Sequence, residues 1–157
     1  MIHVKKRPSL VRRARRADLT QVIEIDARIT GLRKPRYWAE ILRRYGGRQR
    51  QRQRFFFIAQ GPLLGMRSRI DGYIVGEVRD WEFGSPPCGW VFGIGVRPDA
   101  RLHGTGTRLL EAMCDAFRGC GVAAVRTLLA RDNSLVLAFF RSQGLMAAPF
   151  IALEREL

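Results

Sequence analysis

The segment from Val96 to Leu110, V-R-P-D-A-R-L-H-G-T-G-T-R-L-L, constrains this chain more than any other. An apolar stretch, Trp90 to Val96, runs into a loop that contains Gly104 and Gly106. Then Leu109, Leu110, Met113, Cys114 and Phe117 recur at helical spacing. Strand, glycine loop and helix in that order make a good phosphate site. A helix N-terminus leaves amides unpaired and carries partial positive charge, and glycines let those amides approach an anion. The loop lacks the Gly-Lys pair of a P-loop. Position 109 is leucine, where the dinucleotide fingerprint needs a third glycine. A G-x-G alone also suits a tight turn before a core helix.

The rest of the chain reads as alternating short elements. Leu10 to Ala14 is expected to be a first strand. Asp18 is expected to cap a helix with Leu19, Val22, Ile23 and Ile25 on its apolar stripe, ended by Gly31. Pro35 suits the first turn of a second helix that places Trp38, Ile41, Leu42 and Tyr45 on one face and stops at Gly46–Gly47. The run R-Q-R-Q-R-Q-R at 48–54 has no apolar face and reads as a solvated linker or the start of a strand. Phe55 to Ala59 is a strand, Gly61–Pro62 a turn, Leu63 to Arg69 ambiguous, and Ile70 to Trp81 a longer strand, followed by a hairpin-type turn over Gly84 to Pro87. Gly93 and Gly95 inside the Trp90–Val96 strand mark a bulge or a close approach; Pro98–Asp99 ends that strand. A helix from about Gly104 to Arg118 stops at Gly119 and Gly121. Val122 to Ala130 is apolar on both faces and is expected to be a central strand. Asp132 or Asn133 caps a short helix to about Arg141, terminated by Gly144, and Phe150 to Glu156 is a last strand. No repeat or second domain is visible, so residues 1–157 read as one mixed α/β domain.

Composition narrows the class. At 157 residues and 46% hydrophobic content, the chain can bury a real core. No apolar run reaches the ~18 residues of a membrane span, and the basic start has no apolar stretch behind it, so no secretory signal is read. Three scattered cysteines, Cys88, Cys114 and Cys120, make no disulfide framework and fit buried thiols in a reducing cytoplasm. With histidine only at positions 3 and 103, no metal cluster is expected. The formal charge is +14, and all the basic residues except Lys5, Lys6 and Lys34 are arginines. This fits either a field that attracts anions or a genome that favours arginine.

Arg101-x-x-Gly104-x-Gly106 resembles the R/Q-x-x-G-x-G/A motif of the GNAT superfamily of N-acetyltransferases. The preceding Gly-Val-Arg-Pro-Asp is similar to that family's fourth strand and its proline-containing exit. Asp132-Asn133 through Gly144-Leu145 resembles its second cofactor segment, and Arg-Ala-Arg-Arg-Ala-Asp18-Leu its opening strand and helix. The resemblance implies the acyl-CoA N-acyltransferase fold, an α/β fold with a mixed, mostly antiparallel central sheet flanked by helices. It implies acetyl-CoA as co-substrate, held where strands 4 and 5 splay apart. Ile94, Gly95 and Val96 would pair with the pantetheine arm. Amides of Leu102, His103, Gly104, Thr105, Gly106 and Thr107 would take the pyrophosphate, with Arg101 and Arg108 adding charge. Asn133 and Phe140 would complete the cofactor side.

The implied chemistry is attack of an amine on the thioester, with a backbone N–H of Val96 or a neighbour holding the oxyanion. Phe140 stands where many members carry a tyrosine that protonates the thiolate, and Leu145 replaces the usual aromatic. Strand 4 carries no carboxylate, so Glu77 is the best candidate base, ahead of Asp80 and Glu82 nearer a turn; its other reading is a charge on the solvent face or a partner for one of the arginines. The acceptor side falls in Ala27 to Arg54, where a cationic rim with Tyr37, Trp38 and Tyr45 suits an anionic amine-bearing small molecule or peptide, unless it is only a solvated helix face and linker. Two rivals stand beside an enzyme: a non-catalytic acetyl-CoA-binding domain, suggested by Phe140, and an arginine-rich nucleic-acid module, disfavoured because no recognition motif is present. No membrane partner is expected, and a homodimer stays open because look-alikes often form one.

Overall fold

The computed structural model describes residues 9–47, 53–64 and 67–157. They fall into two units, one running to Thr127 and one over Leu128–Leu157, each described by itself.

The first unit is a five-stranded sheet in sequence order: β1 (Leu10–Arg13), β2 (Arg54–Leu64), β3 (Arg67–Arg79), β4 (Cys88–Val96) and β5 (Val125–Thr127). All neighbours are antiparallel except β4 and β5. Between β1 and β2 come α1 (Leu19–Thr30) and α2 (Pro35–Tyr45), and between β4 and β5 comes α3 (Thr105–Gly119). The expected mixed, mostly antiparallel α/β architecture is therefore present.

The alternation of each strand divides the sheet into two apolar faces. Phe56, Ile58, Tyr73 and Val75 meet Val22, Ile23, Ile25, Trp38, Ile41 and Tyr45 of α1 and α2 in one buried cluster. On the other face Leu109, Leu110, Met113 and Phe117 of α3 are buried, with Phe117 edge-on to Phe55 at 5.8 Å. The helical spacings in the sequence thus mark real core faces. Pro35 opens α2, and Gly31 closes α1 with φ 73.

Four expectations change. Asp18 stands at the head of α1, but its carboxylate makes no cap bond to that helix. It is buried, and takes Arg12 at 2.7 and 2.8 Å and the N–H of Arg15 at 2.7 Å. Gly61–Pro62 is not a turn. Strand β2 runs on to Leu64 through register shifts, and Gly61 is glycine because Asp71 fills the space a Cβ would need. The Val122–Ala130 strand shrinks to Val125–Thr127 and lies at a sheet edge, not its centre. Ala123, Ala124 and Leu128 are exposed, so their apolar character buries nothing. Phe150–Glu156 forms no strand; Ile151 and Leu153 are 87% and 91% exposed. A two-residue apolar period makes a strand only where a sheet edge accepts it. The R-Q-R-Q-R-Q-R run lies mostly outside the described residues.

The second unit carries α4 (Ser134–Ser142). Asn133 caps it, accepting a hydrogen bond from the N–H of Val136 at 3.4 Å. Gly144 follows with φ 85.

Candidate functional site

Strand β4 organises the site. Its first half pairs with β5 at Gly89, Trp90 and Val91. There the strands part: the Thr127 hydroxyl caps the Val91 carbonyl at 2.8 Å, and among the described residues no strand pairs with that edge of β4 further on. The β3 register skips Phe92, so a bulge sits where the edge opens. Beyond it, the Arg97 N–H donates to the Asp71 carbonyl of β3 at 2.8 Å. Antiparallel alternation then turns the Gly95 N–H toward β3 as well. The N–H groups of Ile94 and Val96 face the open edge.

Tyr73, opposite Gly95, explains the glycine there. A Cβ on Gly95 would lie 2.5 Å from Tyr73 Cε1 and 2.9 Å from its Oη, whereas one on Gly93 would meet Tyr73 and Val75 at an ordinary 3.9 Å. The aromatic ring fills the glycine's missing side chain from the α1–α2 face.

After β4 a 3₁₀ turn over Pro98–Ala100 leads to the loop before α3. Leu102 (φ 62) and Gly104 (φ 74) are left-handed, and Leu102 is fully exposed. Gly104 takes this conformation without the steric cost a Cβ brings. No described hydrogen bond uses the backbone N–H of Leu102, His103, Gly104, Thr105, Gly106 or Thr107. The first amide in the helix that finds a carbonyl is Arg108, 3.0 Å from Gly104 O. These amides stand at the positive end of a fifteen-residue helix, an arrangement able to take an anion. The guanidinium groups beside it rest on nearby oxygens. Arg101 Nε donates to Val96 O at 3.3 Å, and Arg108 to His103 O at 3.1 Å and Thr105 Oγ1 at 3.4 Å. Arg108 Nε is buried with no partner. His103 is exposed, its Nδ1 2.6 Å from Arg101 O.

Glu77 lies on the α1–α2 face, opposite Trp90 and upstream of the bulge. Tyr45 donates to it at 2.7 Å, Arg79 at 3.2 Å, and Arg54 stands 3.6 Å away. Burial and this hydrogen bond push the Tyr45 hydroxyl up to about 12. The Tyr45 ring also meets Phe92, 5.4 Å away, at the bulge. Glu77 is therefore paired with arginines, as one of its two readings expected, and it lies near the opening of β4.

The sequence reading missed a second polar cluster on the same face. Asp26 of α1 is 3% exposed and faces inward among Val22, Ile23 and Ile25. It accepts Trp38 Nε1 at 2.8 Å, Lys34 Nζ at 3.0 Å and the Tyr73 hydroxyl at 3.4 Å. Burial and the Asp26 charge push the Tyr73 hydroxyl far up and the Tyr37 hydroxyl up. The available signal was a carboxylate four residues after Val22, on the apolar stripe.

Asn133 and Phe140 belong to the second unit. Asn133 is spent on capping α4, while Phe140 is 2% exposed and edge-on to Phe139. Burial pushes the Cys114 and Cys120 thiols up, so neither is an activated nucleophile. Among the described residues no group of side chains could hold a metal ion.

An open strand edge that runs into an amide cradle fits an extended ligand with a phosphate end. The chain belongs to the acetyltransferase (GNAT) family, whose profile matches residues 19–145. It is similar to an L-2,4-diaminobutyric acid acetyltransferase of Nocardia farcinica, 33% identical over 72 residues. That match covers 46% of this chain and spans only 36% of the curated relative's length. In structure it is similar to the aminoglycoside N-acetyltransferase AAC(6')-Iy in complex with CoA, with TM-score 0.75, 16% identity and 99% of each chain covered. The same enzyme with a bisubstrate analogue gives TM-score 0.76 at 16% identity, over 94% of this chain and 97% of that one.

Proposed function

We propose that this chain is a single N-acetyltransferase domain over residues 1–157. It moves the acetyl group of acetyl-CoA to a primary amine by direct attack on the thioester. The observation that carries the reading is β4 itself: an edge that no described strand covers after Val91 and that leads into six amides without a described hydrogen bond at the head of α3. The family match crosses from one unit into the other, which supports one functional domain.

In this reading Ile94, Gly95 and Val96 line the pantetheine arm, and the Val96 N–H steadies the thioester oxyanion. Amides of Leu102 to Thr107 bind the pyrophosphate, with Arg101 swinging onto it from Val96 O. His103 joins them on the cofactor, and Asn133 and Phe140 are the cofactor candidates of the second unit. Glu77 receives the amine's proton, with Tyr45 orienting its carboxylate. Phe140 has no proton to give, so the thiolate leaves to solvent; a CoA thiol is acidic enough for that.

The acceptor lies against α1 and α2. Lys34, Arg43 and Arg54 face carboxylates, while Arg28, Arg33 and Arg36 have no described ion pair. This supports an acceptor carrying an anionic group beside its amine, and the Nocardia relative's diamino acid has that character. Use of acetyl-CoA supports a cytoplasmic setting. The buried phenylalanine at 140 also favours a second reading, a domain that binds acetyl-CoA without turning it over.

The test is a thermal-shift titration with acetyl-CoA, CoA, ATP and NAD at fixed salt. A ligand that binds only the folded state raises Tm. A shift with acetyl-CoA and CoA alone supports the reading, and turnover over an amine panel then separates enzyme from sensor. Equal shifts with ATP and NAD would mean generic charge, and no shift would reduce the loop to a structural turn.

A further inference from the structure

The Asp26 cluster is built like a binding pocket for a primary ammonium, with one already inside it. Its floor is a buried carboxylate and its walls are aromatic. Trp38 and Tyr73 are 2% and 4% exposed, and Tyr37 stands edge-on to Trp38 at 5.2 Å. Two of the three donors to Asp26, Trp38 Nε1 and the Tyr73 hydroxyl, are fixed in the core. The third, Lys34 Nζ, reaches in from outside on a side chain 36% exposed, 5.6 Å from the Tyr37 ring. A buried carboxylate needs a countercharge. Here a flexible, solvent-facing alkylammonium supplies it, and another alkylammonium can replace it.

The pocket also touches the strand that carries the proposed chemistry. Tyr73, which donates to Asp26, lies against Gly95 of β4. We propose that Asp26 anchors an ammonium of the acceptor, with Lys34 as the resident occupant that the acceptor displaces. The inference rests on the acetyltransferase reading and names the acceptor class. An amine paired with a carboxylate keeps its proton and has no free lone pair. It therefore anchors and does not react, and the acceptor carries, beside its anionic group, a second primary amine on an unbranched arm. That second amine, uncharged, attacks the thioester carbonyl. The C–N bond forms, the C–S bond breaks, the electron pair leaves on sulfur as thiolate, and the proton shed by nitrogen goes to Glu77.

The experiment compares putrescine with n-butylamine as acceptors for the full chain and for Asp26→Asn and Lys34→Met. The wild type is expected to prefer the diamine in kcat/KM by about 30-fold, the effect of one buried charge pair. Asp26→Asn raises KM for putrescine by a similar factor beyond any change it makes to n-butylamine, so that the diamine preference is lost. Lys34→Met has the opposite sign: it lowers KM for putrescine because the competitor is gone. A merely structural Lys34–Asp26 bridge would leave both amine preferences unmoved. That result, or a diamine preference that survives Asp26→Asn, overturns the proposal. If the variants do not fold, the wild-type preference decides alone, and its absence is fatal. Calorimetric titration of putrescine without acetyl-CoA separates the two readings. Tighter binding to Lys34→Met without any acetyl transfer supports the Asp26 pocket and sinks the enzyme. Transfer to amines with putrescine binding unchanged by either substitution does the reverse.

Discussion

Gly95→Ala tests the reading of β4 most sharply, because Gly93→Ala is its internal control two residues away. The new Cβ at 95 would sit 2.5, 2.7 and 2.9 Å from Tyr73 Cε1, Cζ and Oη. Carbon atoms in contact prefer about 3.5–4 Å, so the ring must retreat by about 1 Å. It has nowhere to go: Tyr73 is 4% exposed, its centroid lies 4.8 Å from that of Trp38, and its hydroxyl bonds Asp26. Overpacking of this kind costs about 1–3 kcal/mol, and the walls on two sides place this case high in that range. Alanine recovers about 0.5–1 kcal/mol over glycine inside a strand, which leaves a net loss of about 2 kcal/mol. At 93 the nearest atoms are 3.9 Å away, and alanine should be neutral or slightly stabilising. For a domain of this size, about 2 kcal/mol corresponds to a drop in Tm of about 4–8 °C. Urea unfolding of both variants, with matched m-values, measures the difference. Tyr73→Leu should remove most of the penalty, by at least about 1 kcal/mol of coupling. Equal stability of the two alanine variants, or no coupling to Tyr73, would refute the argument.

Three further outcomes follow from the same contacts. Gly104→Ala forces a side chain into φ 74 and brings its Cβ to 3.0 Å from the Arg108 guanidinium, so it should cost about 1–2 kcal/mol and weaken acetyl-CoA binding in calorimetry. Asp18→Ala strips a buried carboxylate from Arg12 and from the Arg15 amide and should cost about 3 kcal/mol by denaturant unfolding, against about 0.5 kcal/mol or less for exposed Asp115→Ala. Tyr45 ionises near pH 10 when unfolded but at about 12 when folded. The folded state holds this proton longer, so its contribution to stability is complete below pH 10 and is lost as pH rises to about 12. Tyr45→Phe should flatten that part of the alkaline stability curve, and an unchanged curve would count against the buried Tyr45–Glu77 bond.

What the sequence made legible was whatever local chemistry decides. Pro35 and the apolar spacing to Tyr45 fixed both ends of α2. Gly104 and the spacing beyond it located the head of α3 and its amides. Gly93 and Gly95 pointed to a bulge or to a close approach by a backbone or ligand; β4 has the bulge, and what approaches Gly95 is the Tyr73 side chain. What failed was decided by partners distant in sequence. Gly61 looked like a turn because nothing local reveals that Asp71, ten residues on, occupies its side-chain space. Asp18 looked like a cap because Arg12 competes for it only once β1 and α1 have met. Val122–Ala130 looked central because it is apolar, yet sheet position depends on what pairs with it. Asp26 escaped because an isolated carboxylate in a helix usually faces water, and only the approach of Trp38 and Tyr73 shows that this one does not.

In the proposed reading, the two faces of the sheet divide the work that the family's chemistry requires. The α3 face builds the cradle. Its core contacts, Leu109, Met113 and Phe117, fix the helix whose first turn presents the open amides, so the anion site inherits the rigidity of a packed helix. The α1–α2 face carries the side chains able to handle an amine. Two carboxylates lie there, Asp26 near Gly95 and Glu77 across the bulge, and each is bonded by a tyrosine from the neighbouring core. Asp26 is closed under a lysine, whereas Glu77 lies between arginines whose ends reach solvent. Like-charged carboxylates kept apart in such different surroundings can take different tasks. The buried one suits a permanent cation and the more open one a proton in transit. The bulge at Phe92 separates them along β4. Deleting Phe92 removes the one residue that β3 leaves unpaired: Val91 stays opposite Gly76 and Trp90 opposite Glu77, while the bulge and the Phe92 contact to Tyr45 are lost. A folded deletion variant that bound acetyl-CoA like the wild type and still acetylated amines at wild-type rate would show that the proposed chemistry does not need the bulge.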